Sequence, residues 1–331
     1  MITLTTRRNF VLGGGSIAIA LAAAPRAAAA IQSVRIATGV RGTLQSLGWL
    51  GAQTGIFQRL GLKVEFARIE AGGPQAATGL YRGDWEFCET GTSPIVQGVL
   101  DGHDTVILLV PSRPHVSGYI LARPDIKEPA GLANQRIGVL TETGQFAIAT
   151  RAMLRKWGVS ATLVPLGSFP NIYAALKAGT IDAAYFTLDW RVLAKRELGA
   201  NDFAGPAALQ NAVLATTRRL IAQDPDLVAR MVRGYVETIH TFKTNRSVIL
   251  PLLQQFLQFN EPRSVEEIHE FYAATFQELP RSTDEGIKAV LEQFAQRYPA
   301  ANTLAPSQVV DRSFLDELEK TGFVAKLYQR N

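Results

Sequence analysis

The chain has 331 residues, enough for about two domains of roughly 150 residues each. Hydrophobic residues make up 47% and charged residues 19%, which excludes a disordered or collagen-like chain, and the one cysteine, Cys88, excludes an internal disulfide or a cysteine-cluster metal site. The formal charge is +5, but Arg7, Arg8 and Arg26 stand in an acid-free stretch, so residues 31–331 carry only +2 and give no electrostatic case for nucleic acid.

Residues 6–12 read Thr6-Arg7-Arg8-Asn9-Phe10-Val11-Leu12, followed by a weakly apolar Gly- and Ala-rich run and the small residues Ala27 to Ala30. A positive start, a short apolar segment and a small-residue cleavage zone are the parts of an export signal. The apolar run falls short of the ~20 residues needed to cross a bilayer. Adjacent arginines before a large apolar residue predict a twin-arginine signal over 1–30, read by the twin-arginine export machinery. No cysteine follows to carry a lipid anchor, so a soluble periplasmic protein is expected after cleavage.

From residue 34 onward, short β-rich runs alternate with helical periodicity. Strands are predicted over 34–38, 62–69, 85–89 and 105–110, with helices over 44–60, 74–81 and 94–100. A further extended run covers 117–122. The alternation restarts with strands at 135–140, 161–165 and 180–185 and helices at 144–157, 169–178 and 189–198. Strand–helix alternation predicts α/β units with parallel sheets. After an extended run at 212–217, helices dominate at 225–244, 248–259, 265–276, 284–297 and 311–321. The two extended runs flank the second block. They predict a two-strand hinge between a discontinuous first lobe (31–120 and 212–331) and an inserted second lobe (121–211). The ligand cleft then lies between the lobes.

In open α/β sheets, ligands sit beyond the carboxyl ends of the strands. Four junctions there carry helix-start chemistry: Gly39 to Thr43, Glu89 to Pro94 (with Ser93 as cap), Thr141 to Gln145, and Phe186 to Asp189 (with Asp189 as cap). Glycine lets a ligand approach the backbone, and helix-start N–H groups attract anions. The candidate contacts are Arg41, Gly42, Thr43, Gly91, Thr92, Ser93, Arg113, Gly144, Gln145, Phe186 and Asp189. Arg41 and Arg113 offer guanidinium forks for a carboxylate or sulfonate. Asp189 beside the same cleft would instead accept from a neutral or cationic ligand, so ligand charge stays open. Phe146, Phe169, Phe186 and Trp190 can wall a pocket or simply pack.

The residues give little support to catalysis. His103, His115, His240 and His269 lack metal-ligand spacing, Cys88 falls in a predicted buried strand, and there is no nucleophile elbow, phosphate loop or dinucleotide fingerprint. No enzyme activity, cofactor or metal is expected.

Taken together, Val34-Arg35-Ile36-Ala37, Thr54-Gly55-Ile56-Phe57, Gly61-Leu62-Lys63-Val64-Glu65-Phe66, Gly72-Gly73-Pro74-Gln75, Arg136-Ile137-Gly138-Val139 and the run from Ala175 to Ala183 form an ordered set. In that order and spacing the chain resembles the periplasmic substrate-binding proteins of nitrate/sulfonate/taurine-type ABC transporters, the NMT1/THI5-like superfamily. The resemblance implies a type II periplasmic binding fold: a monomer that closes on a small organic anion and delivers it to an inner-membrane ABC permease. It places ligand contacts at Gly42, Thr43, Gly91, Thr92, Gly144 and Gln145. Relatives that bind a pyrimidine thiamine precursor keep a neutral or cationic heterocycle as the alternative. An enzyme of pyrimidine-precursor synthesis or a ligand-presenting sensor is the remaining option. Phe186-Thr187-Leu188-Asp189-Trp190 stands where the family often carries a proline, and Trp85-Glu86-Phe87-Cys88 replaces its commoner Asp-Phe pattern.

Overall fold

A computed structural model describes residues 31–69, 72–113, 118–204 and 212–329. The export-signal segment 1–30 and His115 lie outside the described residues. Ten strands run in chain order: β1 (Gln32–Thr38), β2 (Leu62–Arg68), β3 (Phe87–Gly91), β4 (Val106–Leu109), β5 (Tyr119–Ala122), β6 (Arg136–Val139), β7 (Thr162–Pro165), β8 (Ala183–Phe186), β9 (Asn201–Ala204) and β10 (Ala212–Thr216). They form two five-stranded sheets of one pattern, β2-β1-β3-β10-β4 and β7-β6-β8-β5-β9. In each, three parallel strands are followed by one antiparallel strand and an edge strand.

The sheets are therefore mixed, not purely parallel. β10 runs antiparallel to β3 and β4, and β5 antiparallel to β8 and β9. The two runs expected to join the lobes as a hinge are inner strands, one in each sheet, beside the points where the chain passes from one sheet to the other. The reason is their composition: Tyr119–Ala122 and Ala212–Thr216 are almost wholly apolar and buried, as a strand with neighbours on both edges requires. The chain passes between the sheets just before β5 and between β9 and β10, where Ser117 and residues 205–211 lie outside the described residues.

Most predicted elements lie within a residue or two of the observed ones. The predicted helix over 44–60 is the chief exception. It is three pieces, Thr43–Gln45, Leu47–Gln53 and Ile56–Arg59, with Gly55 at φ 73° breaking the last two apart. That backbone angle is easy for glycine and costly for other residues. Two helix starts also differ from expectation. Gly91 and not Ser93 is the N-cap of Thr92–Leu100, and Thr187 and not Asp189 precedes Leu188–Leu198. In contrast, Pro225–Thr244 begins as its sequence says, with the Asp224 carboxylate accepting the Leu227 N–H at 3.0 Å. β9 and the helices Arg218–Gln223 and Phe323–Leu327 were not foreseen.

Packing follows the apolar stripe of the long C-terminal helix. Leu227, Met231, Tyr235, Ile239 and Phe242 are all buried, at the helical spacing their sequence shows. This helix packs on Leu47–Gln53, and Pro262–Thr275 packs on Leu188–Leu198. Among the described residues, no helix is long and apolar enough to cross a membrane.

Candidate functional site

Six parallel strands, β1, β2, β3, β6, β7 and β8, end towards the same interior space, and five of them are followed by residues that line it. One narrow chamber of about 20 Å³ is bounded by Val40, Gln45, Gly73, Pro74, Gly91, Pro94, Leu140, Thr141, Gly144 and Phe146. A second, also of about 20 Å³, is bounded by Gly39, Val40, Arg41, Arg68, Ile69, Leu140, Gly167, Ser168, Phe169 and Pro170. Val40 and Leu140 belong to both, so the chambers abut across two apolar side chains.

Three helices begin at the first chamber: Gly73–Arg82, Thr92–Leu100 and Gln145–Trp157, with Gly72, Gly91 and Gly144 as N-caps. A glycine cap has no side chain to take up the first-turn N–H groups, although Pro74 and Pro94 in two of these first turns have no N–H to offer. Behind this wall, Thr90 Oγ1 is buried without a hydrogen-bond partner and faces Gly73, where an added Cβ would lie 2.6 Å from it. Gly39 is held tighter still. A Cβ there would lie 2.6 Å from the Gly73 Cα, so the two loops touch backbone to backbone.

The second chamber has a different chemistry. Arg68 closes β2 and brings its guanidinium carbon to 5.2 Å from the centre of the Phe256 ring. Its Nε is buried without a hydrogen-bond partner. Arg41 borders the same space and donates from Nη1 to Gln258 Oε1. Here the helix start is already capped, because Ser168 Oγ accepts the Asn171 N–H at 3.3 Å. Among the described residues, no carboxylate lines either chamber.

The sixth junction, after β8, seals the seam between the two halves. Asp189 is buried and accepts from the Thr43 N–H at 3.3 Å, from the Thr43 hydroxyl, from Thr187 at 3.3 Å and from Tyr272 at 3.4 Å. Burial pushes its pKa up, against the smaller pull of Thr43 and Thr187. Trp190 Nε1 donates to the Arg41 carbonyl at 3.4 Å across the same seam.

Of the residues singled out in the sequence, Arg41, Gly91 and Gly144 line the chambers and Gln145 opens the third helix. Gly42 precedes the Thr43 turn beside the Asp189 carboxylate, and Thr43 is taken up in the seam. Thr92 and Ser93 are buried in the first turn of their helix, and Phe186 is buried against Trp190 and Phe169. Arg113 lies elsewhere, on an open depression of about 540 Å³ shared with Lys243 and Glu278. Arg68 was missed because the predicted second strand ran on past it, which placed it inside the strand instead of at its carboxyl end.

Another buried carboxyl stands behind the first chamber. Glu89 in β3 accepts the Gly48 N–H at 2.8 Å, and the Tyr235 hydroxyl lies beside it. Burial pushes its pKa up to about 7, against the smaller pull of Gly48 and Tyr235. Cys88, next to it, is buried, and its thiol is pushed up by burial first and by Glu89 second. His103 stacks on Tyr81, His269 Nε2 pairs with the Phe242 carbonyl at 2.9 Å, and His240 lies against Tyr328. Among the described residues, no group of three or more His, Cys, Asp or Glu is placed to hold a metal ion.

Comparison with known proteins bears on the family and the fold. The family model described as "NMT1/THI5 like" matches residues 48–243. No curated protein matches the chain. Among solved structures, the alkanesulfonate-binding protein SsuA from Xanthomonas axonopodis pv. citri, bound to MOPS, is similar at TM-score 0.68 and 21% identity, covering 86% of this chain and 97% of that one. The periplasmic aliphatic sulphonate binding protein SsuA from Escherichia coli gives TM-score 0.65 at 16% identity, covering 84% and 90%. A mutant of DszB in complex with biphenyl-2-sulfinic acid gives TM-score 0.62 at 18% identity, covering 88% and 99%. These likenesses show that the two mixed sheets have the periplasmic binding protein fold.

Proposed function

The chain belongs to the NMT1/THI5-like family, and from that premise we propose that it is the substrate-binding component of an ABC-type importer, exported to the periplasm by the segment 1–30. It captures a small organic anion, a carboxylate or sulfonate, between its two sheet-bearing lobes. Closure of the lobes about the chain passages near β5 and β10 then delivers the ligand, from a monomer, to an inner-membrane permease. The lobes follow the two sheets, one holding β1 to β4 and β10 and the other β5 to β9, so the boundary expected at 120/121 moves to before β5.

One observation supports the anion most. Three glycine-capped helix starts and two arginines border the chambers, and among the described residues no carboxylate does. A cation or a donor-rich heterocycle would need an acceptor there. Asp189, the acceptor considered for that role, already takes four donors in the seam. Binding rather than turnover is favoured because Cys88 and His269 are buried in the core and His103 is stacked away from the chambers.

A thermal-shift screen of the purified protein tests this with alkanesulfonates, taurine, nitrate, aliphatic and aromatic carboxylates, and pyrimidines. A ligand at about 100 times its Kd adds ~2.7 kcal/mol, which moves Tm by several degrees. Shifts confined to carboxylates or sulfonates are the expected result. Shifts confined to neutral or cationic pyrimidines would overturn the anion assignment.

A further inference from the structure

We infer that the cleft selects an organic dianion, with two separated carboxylate or sulfonate groups joined by a short apolar middle. This rests on the anion-binding function proposed above and narrows its substrate class. The two chambers offer two kinds of anion site, side by side. The first presents helix-start N–H groups and no cation; the second presents guanidinium groups at a helix start that Ser168 already caps. Val40 and Leu140 line both.

Arg68 carries the inference. Most arginines in well-defined ion pairs here sit on the outside: Arg35 with Glu86, Arg136 with Asp182, Arg230 with Asp226, Arg246 with Glu270. Arg68 makes no ion pair among the described residues, although its Nε is buried and lacks an acceptor. A buried donor without a partner is costly, and a guanidinium is matched by the two oxygens of one carboxylate or sulfonate. Its guanidinium carbon lies over the Phe256 ring, 5.2 Å from the ring centre. A monoanion seated on the helix starts would leave Arg68 as it is. A second anionic group, carried across Val40 and Leu140, would complete it.

Isothermal titration of the full chain with matched probes tests this: adipate against hexanoate, and terephthalate against benzoate. The wild type is expected to bind each dianion at least about tenfold more tightly than its monoanion, the scale of one charge-assisted hydrogen-bond pair. Arg68→Gln should lower dianion affinity about tenfold to a hundredfold, and monoanion affinity by a clearly smaller factor. Arg68→Lys keeps the charge without the fork and should fall between; it also decides the matter should the glutamine variant not fold. Equal affinities for dianion and monoanion, or equal loss of both in the variants, would overturn the dianion class while leaving anion binding in place. Binding of pyrimidines with none of the four probes bound would overturn the anion assignment and this inference together.

Discussion

The helix starts around the cleft and those of the C-terminal layer solve the same problem in opposite ways. The five consecutive helices from Arg218 to Phe294 all start on a side chain that accepts a first-turn N–H: Thr217, Asp224, Asn245, Glu261 and Thr283. The three at the first chamber start on Gly72, Gly91 and Gly144 and have no side-chain cap. A capping oxygen occupies the place that a ligand oxygen would take. These five helices are completed from within, whereas the three at the first chamber have no side-chain cap, a feature shared by the C-terminal helices Ser313–Lys320 and Phe323–Leu327 but not by the Ser168-capped helix at the second chamber.

The largest expected effect concerns the buried carboxyl behind the cleft. Glu89 is raised from its ordinary value to about 7, so the folded state holds its proton more tightly than the unfolded chain does. Its contribution is therefore present when the group is protonated, falls as pH rises from the ordinary carboxyl range through about 7, and stays lost above that. Glu89→Gln keeps an acceptor for Gly48 and should raise stability at pH 8 by about 3 kcal/mol, with little gain at pH 4. Urea unfolding at both pH values checks this; an equal effect at both would mean that Glu89 is not the titrating group.

Gly39→Ala comes next. Its Cβ would meet the Gly73 backbone, which has no rotamer to yield, so a loss of about 1–3 kcal/mol is expected by thermal unfolding, together with weakened ligand binding. Normal stability and affinity would show that the cleft floor is looser than its backbone contact implies.

Gly91→Ser tests the comparison directly, since φ −69° suits serine and the new hydroxyl would cap the helix from within. Ligand affinity should fall about tenfold while stability changes by only a few tenths of a kcal/mol. Calorimetry showing unaltered affinity would remove this helix start from the site. The converse variant, Asp224→Ala, should cost about 1 kcal/mol of stability and leave affinity untouched. A loss of affinity there would mean that the C-terminal layer is coupled to the cleft.

Much of this was legible in the residues. The alternation of short apolar runs with helical stripes marked nine of the ten strands, and Asp224-Pro225 marked the start of the longest helix to the residue. The glycine junctions at Gly91 and Gly144 also stood out, because glycine before a helix after a buried run has few other uses. Those features are local: they depend on side-chain periodicity and on backbone angles that a few neighbours dictate.

Partner choice at a distance is not local. That β5 and β10 are inner antiparallel strands depends on which apolar edges were left open, and a four- or five-residue run carries no label for its neighbour. Asp189 looked like a ligand acceptor until Thr43, 146 positions away, and Tyr272, 83 positions away, closed on it. Arg68 looked like one more polar residue of a strand until the chain turned at that point and set it over Phe256. The sequence by itself determined the elements and the glycine-capped starts. Only the tertiary structure decided which charged groups meet within the chain and which still face the cleft, because charge pairing is set by approach through space.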